Sequence, residues 1–143
     1  LTTLDIGPLG QLLEPIGTLS FADAAADFAR IVRAGAAAGA DLVMLETFTD
    51  LYELKAALLA AKENCTLPVL ASMSFEADGR TFTGCTVESF AVTARGLGAD
   101  AIGINCSLGP REILPMARRL AAALPGDFPV FVKPNAPGGW QRL

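Results

Sequence analysis

The residues of this 143-residue chain that could do chemistry fall at the ends of short apolar runs. The run AIGIN (Ala101–Asn105) stops on an asparagine, and Cys106 follows directly, ahead of Ser107-Leu108-Gly109-Pro110. A thiol beside amides that open a helix is placed for thiolate chemistry, because a helix N-terminus favours the form that attacks an electrophile or ligates a metal. Free cysteine is also among the most buried residue types, so packing is the plain alternative. Glu46 ends VMLE inside an otherwise apolar run. A carboxylate there must be paired or hydrogen-bonded, or its pKa rises. It serves either as partner to Lys133 or a nearby amide, or as receptor for a substrate cation; the two roles stand level. Lys133 ends PVFVK, and a desolvated lysine can form an imine with a carbonyl substrate, which makes a Schiff-base lyase a rival function. Asp5, Gly7, Thr47, Met73, Ser74 and Asn135 stand at the other run ends. For Thr47, Ser74 and Asn135, capping a helix or satisfying loop amides is the favoured role.

The remaining cysteines, Cys65 and Cys85, are widely spaced and make the total odd. That is neither a disulfide framework nor a zinc knuckle, and it suits a reducing, cytoplasmic setting. Cys65 lies between a helix end and a strand start, at the far face, and reads as structural. Cys85 follows a polar excursion and reads as a bystander. There is no histidine, so any metal site must draw on Cys, Asp or Glu.

The elements that must position these residues alternate in type. Strands are expected over Thr3–Gly7, Asp41–Thr47, Leu67–Phe75, Ala101–Asn105 and Pro129–Asn135. Ser20 caps a helix over about Phe21–Ala38, with Asp23 three residues on; Asp50 and Glu53 form an Asp-x-x-Glu box at the next helix. Thr86 caps a third that ends near Gly98, and Pro110 suits the first turn of a fourth over Pro110–Ala123. Gly39-Ala40-Asp41 returns as Gly98-Ala99-Asp100, and Pro68-Val69 returns as Pro129-Val130. The period of about 60 residues is two strand–helix units of about 30. Strands apolar on both faces predict a parallel sheet covered by helices, either part of a (β/α)₈ barrel or an open doubly wound sheet. In both, ligands bind at the carboxyl ends of the strands, where the residues above are found.

Composition sets limits. At 52% hydrophobic residues the chain can build one compact domain over 1–143. A net charge of −4 with no basic stripe excludes a nucleic-acid surface. No apolar run approaches the roughly 18–20 residues of a membrane span, and the N-terminus lacks the features of a signal peptide.

Five segments together carry a resemblance: DIGPLGQLLEPIGTLSF, GADLVMLETFTDLYELKAALLAAKE, MSFEADGRTFTG, GADAIGINCSLGP and PVFVKPNA. In that order they closely resemble the homocysteine-binding modules of cobalamin-dependent methionine synthases and, more broadly, the homocysteine S-methyltransferase family. The resemblance implies a partial (β/α)₈ TIM barrel, about five units similar to strands three to seven of the family fold. It implies a zinc ion that holds the homocysteine thiol as thiolate, with Cys106 as one of three cysteine ligands. The adjacent Cys-Cys pair of the family's GGCCG-like motif has no counterpart here, nor does its DGAMG-like start. Glu46 matches the acidic residue that receives the substrate's amino group. Asn105 and the amides of Ser107–Gly109 are expected to complete the substrate pocket, the amides taking its carboxylate. Cobalamin and folate enter through other modules of a parent protein, the cobalamin-binding module being a partner; betaine and S-methylmethionine are the donors in other branches. The chain alone is then expected to bind zinc weakly, to be inactive, and to self-associate through open sheet edges. The alternative to a working fragment is an inactive scaffold or remnant.

Overall fold

The computed structural model describes residues 1–136. The chain alternates strand and helix: β1 (Thr3–Ile6), α1 (Phe21–Ala37), β2 (Leu42–Phe48), α2 (Leu51–Asn64), β3 (Val69–Met73), α3 (Val87–Gly96), β4 (Ala101–Asn105), α4 (Pro110–Ala122) and β5 (Val130–Lys133). All strands are parallel, in the order β1-β2-β3-β4-β5. Right-handed crossovers that never reverse direction leave every helix on the same face. Accordingly α1 packs on α2, α2 on α3 and α3 on α4. A doubly wound sheet reverses its strand order; this one does not, and it is a partial (β/α)₈ barrel.

Side-chain alternation sorts the strands. Val43, Leu45, Val69, Ala71, Met73, Ile102 and Ile104 are buried against Phe28, Leu54, Leu58, Phe90 and Leu120 of the helices. Met73, counted above with the strand-end residues, therefore belongs to the core. The opposite, barrel-interior face carries Asp5, Glu46, Ser72, Asn105 and Lys133 towards its carboxyl end. Gly103, between the buried Ile102 and Ile104, lies on that face, and a Cβ there would meet the Phe131 ring at 2.4 Å.

The helix starts follow the sequence. Ser20 accepts from the Asp23 N–H (3.1 Å) and Thr86 from that of Ser89 (3.2 Å), each satisfying an orphan donor of a first turn. The box at α2 forms differently. Asp50 accepts from the Tyr52 N–H (3.0 Å), while Glu53 turns away to accept from the N–H of Leu9 (2.7 Å). The internal repeat has a shared mechanism. Gly39 and Gly98 adopt φ of +88° and +87° past their helices, where a Cβ is costly. The aspartates that follow each hold a neighbouring strand: Asp41 accepts from the Thr2 N–H (2.6 Å) and Asp100 from that of Val69 (2.8 Å).

Strand ends shift modestly from expectation. β2 runs one residue further, to Phe48, because its pairing with β3 is interrupted between Leu45 and Phe48 by a bulge. β3 is shorter than Leu67–Phe75, since Ser74 bonds to Phe48 beyond that bulge and the chain then leaves the sheet. Between Glu76 and Cys85 the polar excursion closes on itself, with Glu76 N–H donating to the Arg80 carbonyl and Thr81 N–H to that of Cys85.

Candidate active site

Asn105 is the hub of the strand ends. It is almost fully buried, and every polar atom of its amide is engaged. Its Oδ1 accepts from Ser72 Oγ (2.8 Å) and the Thr47 N–H (3.2 Å); its Nδ2 donates to Thr47 Oγ1 (2.6 Å) and to Cys106 Sγ (3.1 Å). Ser74 Oγ donates to the Asn105 carbonyl (2.8 Å). One side chain thus joins β2, β3 and β4 and fixes the approach to the thiol. Thr47 and Ser74 belong to this network rather than to helix caps, while the backbone N–H of Asn135 donates to the Leu108 carbonyl (3.0 Å). Ser72 was not singled out from the sequence. Its signal was the alternation in LASMSF, which places Ser72 and Ser74 together on the face opposite Ala71 and Met73.

The backbone around the thiol is unusual. Thr47, Cys106 and Ser107 take left-handed φ of 64°, 60° and 57°. Each such non-glycine residue costs on the order of 1 kcal/mol or more, and such residues collect at functional sites. The turn after β4 leaves Cys106 exposed, with its N–H on the Lys133 carbonyl (3.0 Å). The bulge in β2 includes Glu46 and Thr47, and bulges next to sites re-aim side chains.

Glu46 meets Lys133 across the face, its carboxylate accepting from the lysine ammonium. The Glu46 side chain is 18% exposed and that of Lys133 53%, so the lysine reaches from the rim towards a more sheltered carboxylate. Asp5 on β1 joins them. Its pKa is raised, first by partial burial and then by the neighbouring Glu46 charge, with Lys133 opposing. Lys133 is pushed up, chiefly by its bond to Glu46. A lysine held protonated is the reverse of what imine formation requires, which argues against the lyase.

At the start of α4, the Leu108 N–H is spent on the Cys106 carbonyl (2.6 Å). Gly109 is the N-cap and supplies no side-chain cap. The Glu112 carboxylate folds back to within 2.9 Å of where a Gly109 Cβ would stand. The protein's own anion therefore sits at the helix start assigned above to a substrate carboxylate.

The other thiols lie elsewhere. Cys65 closes α2, its Sγ donating to the Ala61 carbonyl (3.3 Å). Cys85 lines a separate open cleft of about 440 Å³ with Tyr52, Lys55 and Thr83, and burial pushes its pKa up to about 11. Among the described residues no three Cys, Asp or Glu side chains converge as metal ligands. The residues present do not fit a complete zinc site; Cys106 is one ligand without its set.

The sequence profile of homocysteine S-methyltransferases matches residues 2–141. The chain belongs to the homocysteine S-methyltransferase family. It is 36% identical over 103 residues to methionine synthase of Mycobacterium tuberculosis, and equally so to that of Mycobacterium leprae. Each match takes in 68% of this chain and 8% of the relative, so the chain spans a small part of these proteins. The fold matches the apo homocysteine methyltransferase MmuM of Escherichia coli with a TM-score of 0.79 at 22% identity, over 93% of this chain and 48% of that one. The metallated form of MmuM matches with a TM-score of 0.68 at 21% identity, over 78% of this chain and 40% of that one.

Proposed function

We propose that this chain is part of a cytoplasmic homocysteine S-methyltransferase module that binds homocysteine and presents its thiol for methylation to methionine, with methylcobalamin as donor in the whole protein. The observation that carries this is the aimed thiol of Cys106, held at 3.1 Å by an asparagine that three strands immobilise. The family and the methionine synthase relatives support the substrate. Glu46 receives the α-ammonium group, and Asn105 with the Cys106–Ser107 turn bounds the thiol end.

Zinc, when bound, lowers the pKa of a ligated thiol and so supplies a nucleophile at neutral pH. Cys106 would be one of its ligands, with the others contributed from outside this chain. The residues here bind, orient and shelter the substrate; the isolated chain takes up zinc weakly and transfers no methyl group. No helix of the described residues is long and apolar enough to cross a membrane.

Calorimetric titration of the reduced chain with L-homocysteine at pH 7 tests this. We expect binding that Glu46→Gln weakens at least tenfold, and no stoichiometric zinc in either the chain or its Cys106→Ala variant. Homocysteine that fails to bind sinks the proposal. Tight zinc lost on Cys106→Ala would show that this chain completes a metal site.

A further inference from the structure

Resting on that reading, we infer that Lys133 is a substrate-positioning residue: it takes the substrate's α-carboxylate, while Asp5 joins Glu46 as receptor for the α-ammonium.

Three observations lead there. Asp5, Glu46 and Lys133 form one cluster on the barrel-interior face, two acids and one base. When all are ionised the cluster carries −2 + 1 = −1, and it adjoins the exposed Cys106 through the β4–β5 pairing of Asn105 with Lys133. A lysine ammonium has three N–H donors, and Glu46 takes one, so Lys133 can hold Glu46 and a second carboxylate together. Lastly, the rival anchor for that carboxylate is encumbered. The Leu108 amide is paired to Cys106, and Glu112 lies over the start of α4, where a second anion would meet like charge.

An α-amino acid head group is a zwitterion, and the cluster is its complement. The ammonium adds the cation that two crowded carboxylates lack, and the carboxylate meets the N–H groups of Lys133 that are not given to Glu46 among the described residues. The side chain then extends towards β4, where Cys106 stands. Discrimination follows from chemistry. A ligand with an ammonium but no carboxylate should lose the Lys133 contact alone, and a site built for a charged partner rejects analogues that leave it unpaired.

The test compares three probes on the full chain by calorimetry: L-homocysteine; 3-aminopropane-1-thiol, which lacks the carboxylate; and L-2-aminobutyrate, which keeps the head group and lacks the thiol. The wild type should prefer L-homocysteine over the aminothiol by tenfold or more. Lys133→Met should bring that ratio close to one, and Lys133→Arg should restore most of it. A general loss of structure would weaken all probes together and leave the ratio unchanged. A ratio that survives in Lys133→Met while homocysteine still binds overturns the inference and leaves the proposed function standing. Binding of L-2-aminobutyrate as tight as homocysteine, with the ratio dependent on Lys133, supports the head-group receptor and counts against the thiol function. If no probe binds the wild type, both fail.

Discussion

Asn105 does with one amide what a site usually asks of several groups. Its oxygen accepts from Ser72 and Thr47, and its nitrogen donates to Thr47 and to the Cys106 sulfur. Replacing it by alanine leaves the buried Ser72 hydroxyl and the Thr47 N–H unpaired. Each lost partner costs about 1–3 kcal/mol, so urea unfolding of Asn105→Ala should show a loss in that range or above. Asn105→Asp keeps the acceptor and turns the donor facing Cys106 into a second acceptor, so its damage should appear first in homocysteine binding. An Asn105→Ala variant as stable as the wild type would show that the network is loose. The placement of Cys106 and Glu46 at the strand ends was legible from position alone, because a thiol and a carboxylate closing apolar runs are conspicuous. The hub role of Asn105 was not, since its partners lie 58 and 33 residues away and no local pattern reports them.

At the scale of elements, the segment between β1 and α1 shows what local patterns miss. Asp50 and Glu53 have the spacing of a reciprocal cap, yet Glu53 reaches back 44 residues to Leu9. The contact ties the β1–α1 connection to α2 above the strand ends, with Leu13 buried beneath. Burial is the largest influence on the Glu53 carboxyl and raises its pKa, with the Leu9 bond opposing. A folded pKa above the unfolded one means that the native state binds more protons, so wild-type stability rises as pH falls through that raised pKa. Glu53→Gln keeps an acceptor for Leu9 without the charge. It should be the more stable protein at pH 8, with the gap in urea midpoint closing on acidification. A gap that widens towards acid would mean that the charged form is the one the fold prefers. By contrast, the Ser20 and Thr86 caps and the repeated Gly-Ala-Asp were legible because every partner lies within a few residues or one repeat.

For the whole molecule, the strand order settles the choice between barrel and doubly wound sheet that periodicity alone left open. It also leaves β1 and β5 paired on one side only among the described residues. Unpaired edges recruit strands, and β5 presents Val132 at 36% exposure. Sedimentation of the 143-residue chain should show a mass that grows with concentration. Val132→Lys should reduce that growth, because a charge on an edge strand discourages pairing. A single monomeric species at high concentration would mean that both edges are protected.

Every strand pairs with its neighbours in the sequence, and every helix packs on the one before it. Contacts of this kind can form in the order in which the polypeptide leaves the ribosome. Each new strand finds its sheet partner already made, about 30 residues upstream, and domains generally fold N-terminal part first during synthesis. The exceptions are the Asn105 network, which joins β2, β3 and β4, and the Asp5–Glu46–Lys133 cluster, which joins β1, β2 and β5; neither can close until its last strand arrives. The scaffold can thus form strand by strand during translation, while these two side-chain networks wait for strands that emerge later.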